Sequence, residues 1–100
     1  MRLSDENLRG RTIIGADGKV VGEVGTLFLD SVSLRVESFQ VKLDKPIAEL
    51  LGTPHSIFRQ GVIEVPVSLV QSVGDTLVLS VAVEGLRQVL PNEQESAPLH

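Results

Sequence analysis

Apolar and polar residues alternate along parts of this chain with the two-residue period of a β-strand. The clearest example is the segment 38–43, SFQVKL, in which every second residue is apolar. Successive side chains of a strand point to opposite faces of a sheet. The pattern therefore predicts a half-buried strand of an antiparallel sheet. Its predicted inner residues are Phe39, Val41 and Leu43, and its predicted water-facing residues are Ser38, Gln40 and Lys42.

The segment 15–30, GADGKVVGEVGTLFLD, predicts a hairpin that leads into a long strand. The dipeptide Asp17-Gly18 favours a tight turn, and a β-branched run follows it directly. Gly22 and Gly25 interrupt the strand where side chains would normally pack, which is typical of bulges and sharp bends. A sheet that curls this strongly in a short chain usually closes on itself, so we expect a small barrel.

The other predicted elements are short. They are strands at 12–14, 62–65 and 77–83, helical turns at 4–7, 48–51 and 66–70, and a C-terminal helix at 84–90. We therefore expect one all-β domain over residues 1–90, an antiparallel barrel of five to six strands with a short C-terminal helix. The connection 52–61 has no strong period and is predicted to be the most exposed, and the polar tail 91–100 to be disordered.

Composition excludes several classes of function. The chain has 100 residues, 42% of them apolar, which is enough for one small core. It has no cysteine, which excludes disulfides and thiolate metal sites and fits a reducing compartment. No stretch is apolar enough to span a membrane, so we expect a cytoplasmic protein. The net charge is −4 and the basic residues are scattered, which argues against nucleic-acid binding.

The residues that could carry chemistry have simpler explanations. Asp17, Asp30 and Asp75 could bind a hard cation together, but each lies in a predicted turn, where Asp hydrogen-bonds to its own backbone. His55 could act as an acid, a base or a ligand, but no partner is evident. The glycines of 15–30 precede a strand and not the helix that a dinucleotide loop requires. We therefore predict no catalytic, cofactor or metal site, and no enzyme.

The last predicted strand, LVLSVAV, is apolar on both faces, so something must cover its second face. The cover is either the C-terminal helix or a second copy of the protein. Exposed apolar patches mark association sites, and we expect a homodimer. The predicted dimer residues are Val78, Ala82, Leu86 and Val89. A protein partner is expected on the loop 46–61, through Leu50, Leu51, Ile57, Phe58 and Arg59.

Three stretches in order resemble the PRC-barrel domain family: GADGKVVGEVGTLFLD, RVESFQVKL and VIEVPVSLVQSVGDTLVLS. Together they cover most of residues 8–83, and the chain is similar in particular to stand-alone archaeal members. The family also includes the cytoplasmic domain of the photosynthetic reaction centre H subunit and the C-terminal domain of a ribosome maturation factor. The resemblance implies a non-enzymatic homodimeric adaptor in a cell-division or membrane-associated assembly. The alternative that it implies is an RNA-processing or ribosome-maturation factor.

Overall fold

The computed structural model of this chain describes residues 2–52 and 61–89, and for residues 87–89 it describes the backbone alone. The predicted disordered tail 91–100 and the loop residue His55 lie outside the described residues. The elements, in chain order, are α1 (Asp5–Leu8), β1 (Thr12–Ile14), β2 (Val20–Leu29), β3 (Val36–Leu43), α2 (Lys45–Leu51), β4 (Val62–Pro66), a 3₁₀ turn (Val67–Leu69), β5 (Val70–Val73), β6 (Thr76–Leu79) and α3 (Val83–Val89).

The six strands form one curled sheet in the order β4-β3-β2-β1-β6-β5. This mixed half-barrel confirms the predicted small, barrel-like all-β fold. Neighbouring strands run antiparallel except β1 and β6, which are parallel. The expectation of a purely antiparallel sheet was wrong at this pair, because the chain returns to β1 through a long crossover. In the part of the chain that the structure describes, no ladder joins the edge strands β4 and β5, so the sheet does not close completely.

The glycines of β2 are where the sheet bends, as the pattern predicted. The register of β2 against β3 shifts between Val24 and Leu27, around Gly25. At Gly22 there is no room for a side chain, because a Cβ atom would overlap the Lys42 carbonyl oxygen and lie 2.9 Å from the Leu43 Cα. The backbones of the paired strands β2 and β3 therefore lie too close together at Gly22 for any side chain, and only glycine allows that approach.

The core lies inside the curl of the sheet, with α2 and α3 packed against each other. Strands β1, β2, β3, β4 and β6 contribute buried inward residues, β5 adds the partly buried Val70, and α2 and α3 add Ala48, Val83 and Leu86. The predicted inner face of β3 is confirmed, since Phe39, Val41 and Leu43 are all buried. The core residues are Ile13, Val21, Val24, Phe39, Val41, Leu43, Ala48, Val65, Leu77, Leu79, Val83 and Leu86.

Ser38 was expected to face water, but it is buried. It lies on the outer face of the sheet, where its neighbours on the adjacent strands are Phe28 and Pro66. These two bulky residues shield it on either side, and its hydroxyl donates a hydrogen bond to the Glu64 carboxylate. The expectation failed because strand alternation predicts which face a residue occupies, but not what covers that face.

The C-terminal part of the sheet differs from the sequence prediction in its boundaries. The strand predicted at 77–83 ends at Leu79, and α3 begins at Val83, whose side chain enters the core. Residues 70–73, which form β5, were predicted as part of a helical turn and a connection. Their sequence, VQSV, does not alternate, and the register shifts between Val70 and Ser72. A bulge of this kind hides a strand from any period-based prediction.

The helices are short. α1 begins after Ser4, whose side chain accepts the Asn7 N–H as predicted for a cap. α2 begins at Lys45, three residues earlier than predicted, because Pro46 is tolerated in the first turn of a helix. It ends at Leu51, the predicted end of this helical turn, and its C-cap Gly52 lies in the left-handed region at φ 73°. Among the described helices, none is long and apolar enough to cross a membrane.

Candidate interaction surface

The aspartates of the turns use their carboxylates locally. Asp17 accepts the Lys19 N–H at 3.3 Å, and Asp30 accepts the Ser33 N–H at 2.8 Å. Asp75 lies in the bend between β5 and β6. Over residues 2–52 and 61–89, no group of three or more His, Cys, Asp or Glu side chains could hold a metal ion. These contacts support the turn interpretation of Asp17 and Asp30 that the sequence favoured over a cation site.

The three most exposed large apolar side chains of the described residues lie at the end of the β2–β3 hairpin, and the exposed Phe28 directly precedes one of them. Val32 is 90% exposed, Leu34 70%, Leu29 52% and Phe28 38%. We refer to these four residues as the hairpin end. Burying them would contribute on the order of 4 to 7 kcal/mol, before the cost of association is subtracted. Four exposed apolar residues near one another are unusual, since the exposed apolar residues of an ordinary protein surface are scattered singly.

The turn that carries Val32 is held by hydrogen bonds of its own. The Asp30 N–H donates to the Arg35 carbonyl at 2.8 Å, and the Leu34 N–H donates to the Asp30 carbonyl at 2.8 Å. The Ser33 N–H donates to the Asp30 carboxylate, and the Arg35 N–H donates to the Ser33 hydroxyl at 3.3 Å. The turn is therefore an ordered structure, and it fixes where its apolar side chains stand.

The same hydrogen bonds affect the acidity of Asp30. The Ser33 N–H, followed by the Ser33 hydroxyl, stabilises the ionised carboxylate and holds the pKa of Asp30 below its ordinary value. At neutral pH this carboxylate is therefore charged and available to organise the turn. Asp5 is the other described carboxyl with a lowered pKa, because the Arg9 guanidinium hydrogen-bonds to it at 2.7 Å.

Leu34 has an unusual backbone conformation. Its φ is +62°, and among the described residues it is the one non-glycine residue with a positive φ. The left-handed region costs an L-residue roughly 1 to 2 kcal/mol, and Gly, Asn or Asp is usual there. Strain of this kind clusters at functional sites. Leu34 therefore costs the folded chain backbone strain that Gly, Asn or Asp would avoid at this position, and its side chain is 70% exposed.

The apolar surface continues from the hairpin end onto the outer face of the sheet. The register places Phe28, Ser38 and Pro66 side by side on three adjacent strands. Pro66 and the next residue, Val67, are both exposed. We call the hairpin end together with Pro66 and Val67 the apolar strip. It contains no charged side chain.

The residues predicted for a dimer lie in different environments. Leu86 is fully buried in the core of a single chain and is not at the surface. Val78 and Ala82 are half-buried, and the side chain of Val89 is outside the description. Val83 and Leu86 of α3 belong to the same core as Leu77 and Leu79 of β6, which is the inner side of that strand. What covers the face of Val78 and Ala82 stays a prediction.

The residues predicted for a protein partner are only partly described. Leu50 is exposed on α2, while Leu51 is half-buried and packs against the core. The other three, Ile57, Phe58 and Arg59, lie outside the described residues. Among the described residues, the predicted dimer residues and the predicted partner residues do not form one common surface.

The hairpin end was missed by reasoning from the sequence. The segment 15–30 was predicted to be a hairpin that leads into a long strand, and no exposed apolar surface was predicted at its end. The sequence did contain a signal, because Val32 and Leu34 are large apolar residues that alternate with Ser31 and Ser33 in a short turn, and a turn has no core beside it to bury them. The positive φ of Leu34 has no such signal, since leucine is not a residue that predicts it.

Comparison with known proteins does not name a family. No protein-family model matches the chain, and no curated protein matches it either. The resemblance to PRC-barrel domains therefore stays a prediction that rests on the three sequence stretches.

Proposed function

We propose that this protein is a non-enzymatic adaptor domain that works by binding proteins, including a second copy of itself. The observation that supports this proposal most strongly is the hairpin end, where four apolar side chains are presented to water by an ordered turn. The strained Leu34 supports it as well, because a residue that costs the fold stability is expected to contribute elsewhere.

The distribution of ionisable groups fits a binding role better than a catalytic one. Among the residues that the structure describes, the pKa is lowered at Asp5 and Asp30, in each case by local hydrogen bonds at the surface. Catalytic groups are usually shifted by burial and by charged neighbours in a cleft. The resemblance to PRC-barrel domains would place such an adaptor in a cell-division or membrane-associated assembly.

The adaptor proposal is tested by affinity purification from the native cell, with wild type compared against Val32→Asp and Phe58→Ala. Val32 is almost fully exposed, so its substitution is expected to leave the fold unchanged. The proposal expects a protein that is retained by wild type and lost with at least one variant. The alternative, an RNA-associated factor, would instead give co-purifying nucleic acid whose binding weakens steeply with salt.

A further inference from the structure

We propose that the apolar strip is a two-fold symmetric interface that binds the apolar strip of a second copy of this chain. This inference rests on the proposed function, because it names the surface through which the adaptor would dimerise. It replaces the predicted surface around Leu86, which the core of one chain already uses.

The composition of the apolar strip suits contact with itself. A two-fold interface places the same patch of both copies face to face. A patch that carried charges of one sign would repel its own copy. The six residues of the apolar strip are uncharged, and so are the exposed Ser31 and Ser33. The same turn carries one acidic and one basic side chain, Asp30 and Arg35, whose backbones are hydrogen-bonded, so its net charge is zero. Self-contact therefore buries apolar surface and does not bring together two turns of like net charge.

The charges at the two ends of the apolar strip are complementary. Arg35 is exposed at the hairpin end, and Glu64 is exposed on β4 beside Ser38. Glu64 pairs in register with Gln40, which is five residues along the strand from Arg35, or roughly 16 Å. In an antiparallel two-fold arrangement, Arg35 of each copy meets Glu64 of the other. An anionic lipid surface is a poorer occupant, since the chain carries a net charge of −4.

The backbone of Leu34 is consistent with selection for contact rather than for stability. Asn would relieve the left-handed strain and would be better hydrated than a leucine that is 70% exposed. In the proposed dimer the leucine is buried against the second copy, where its side chain contributes most. The size of the apolar strip limits the affinity of the dimer, because a standard protein–protein interface uses about 20 to 30 residues on each side. The apolar strip has six residues, so the dimer should be weak.

The decisive variant is Leu34→Asn, measured by sedimentation equilibrium and by thermal unfolding. We expect at least a tenfold weaker dimer together with an unchanged or higher melting temperature, because contact and strain are removed at once. The matched control is Val20→Asn, at an exposed valine at the other end of the same hairpin. The control is expected to leave the dimer unchanged. Equal dimerisation of wild type and Leu34→Asn would overturn the proposal.

A charge exchange tests the orientation. Arg35→Glu is expected to weaken the dimer, and Glu64→Lys in the same chain is expected to restore part of the loss. Within one chain the two positions are more than a Debye length apart at physiological salt, so coupling between them must arise between copies. Glu37→Gln, which removes a carboxylate close to Arg35 in sequence, serves as the control and is expected to leave that coupling intact. No coupling would contradict the antiparallel arrangement.

The remaining outcomes separate this inference from the proposed function. A dimer that survives the strip variants but is lost with Ala82→Asp would place the interface on the last strand and overturn the apolar strip, while the adaptor proposal would stand. A wild-type monomer at every concentration would overturn both dimer proposals. Wild type that stays monomeric and sediments with neutral phosphatidylcholine vesicles would show that the strip binds lipid instead.

Discussion

Gly22 offers the sharpest test of the fold, because its substitution by alanine adds one methyl group at a place where two main chains meet. The added Cβ would overlap the Lys42 carbonyl oxygen and would lie 2.9 Å from both the Leu43 Cα and the Lys42 carbonyl carbon. All three atoms belong to the backbone of β3. No change of side-chain rotamer can relieve the contact, so β2 and β3 would have to move apart at the centre of the sheet.

The expected cost is large for a small domain. Overpacking a core costs about 1 to 3 kcal/mol even when side chains can adjust, and here they cannot. We expect Gly22→Ala to lower the free energy of unfolding by about 3 kcal/mol or more, out of the roughly 5 to 15 kcal/mol typical of a domain. The measurement is urea denaturation followed by far-UV circular dichroism, since the chain has no Trp or Tyr for fluorescence.

Two other glycines provide graded controls. At Gly74 the nearest atom to an added Cβ is the Thr76 carbonyl oxygen at 3.9 Å, so Gly74→Ala should be neutral or slightly stabilising. At Gly25 the closest atom is Oε1 of the Gln40 side chain, at 3.0 Å, which can move. Gly25→Ala should therefore fall between the other two. If Gly22→Ala unfolds at the same urea concentration as Gly74→Ala, the close approach of the β2 and β3 backbones at Gly22 is not real.

Three further outcomes follow from the packing and the hydrogen bonds. Leu86→Ala should lower the free energy of unfolding by about 2 to 5 kcal/mol, measured by denaturation, because it empties a fully buried site; a loss below about 0.5 kcal/mol would mean that α3 does not seal the core. Because the pKa of Asp30 is lower in the folded than in the unfolded chain, its ionised carboxylate stabilises the fold at a pH above the unfolded-state pKa. This contribution is lost as the pH falls below about 4, so a pH series of unfolding measurements should show less acid destabilisation for Asp30→Asn than for wild type. Ser38→Ala should lower the free energy of unfolding by about 1 kcal/mol through the lost hydrogen bond to Glu64, and a variant as stable as wild type would show that this bond does not form.

Local features of the fold were accessible from the sequence. The turn at Asp17-Gly18, the bends at Gly22 and Gly25 and the inner face of β3 each have a signal within a few residues, namely turn chemistry, glycine in a strand and alternation. The structure has all of them where they were predicted, because short-range sterics and one-sided burial decide such features without reference to the rest of the chain.

The features that required the whole chain were not accessible. The parallel pairing of β1 with β6 depends on which strand returns to the free edge of β1, and residues 76–79 contain nothing that names this partner. The burial of Leu86 depends on where the chain turns after Leu79. Helical spacing showed that α3 has an apolar side, but not whether that side meets its own core or another copy. The exposed Leu34 was missed because leucine does not predict a positive φ.

The central claim is that the exposed apolar residues of the hairpin end bind another protein chain, first of all a second copy. Methyl NMR on a dilution series of the wild-type protein observes these side chains directly. From the highest soluble concentration to the low micromolar range, the methyl signals of Val32 and Leu34 should shift, while those of the buried Ile13 should stay fixed. Methyl signals of Val32 and Leu34 that do not move, or movement confined to Val78 and Ala82, would contradict the account.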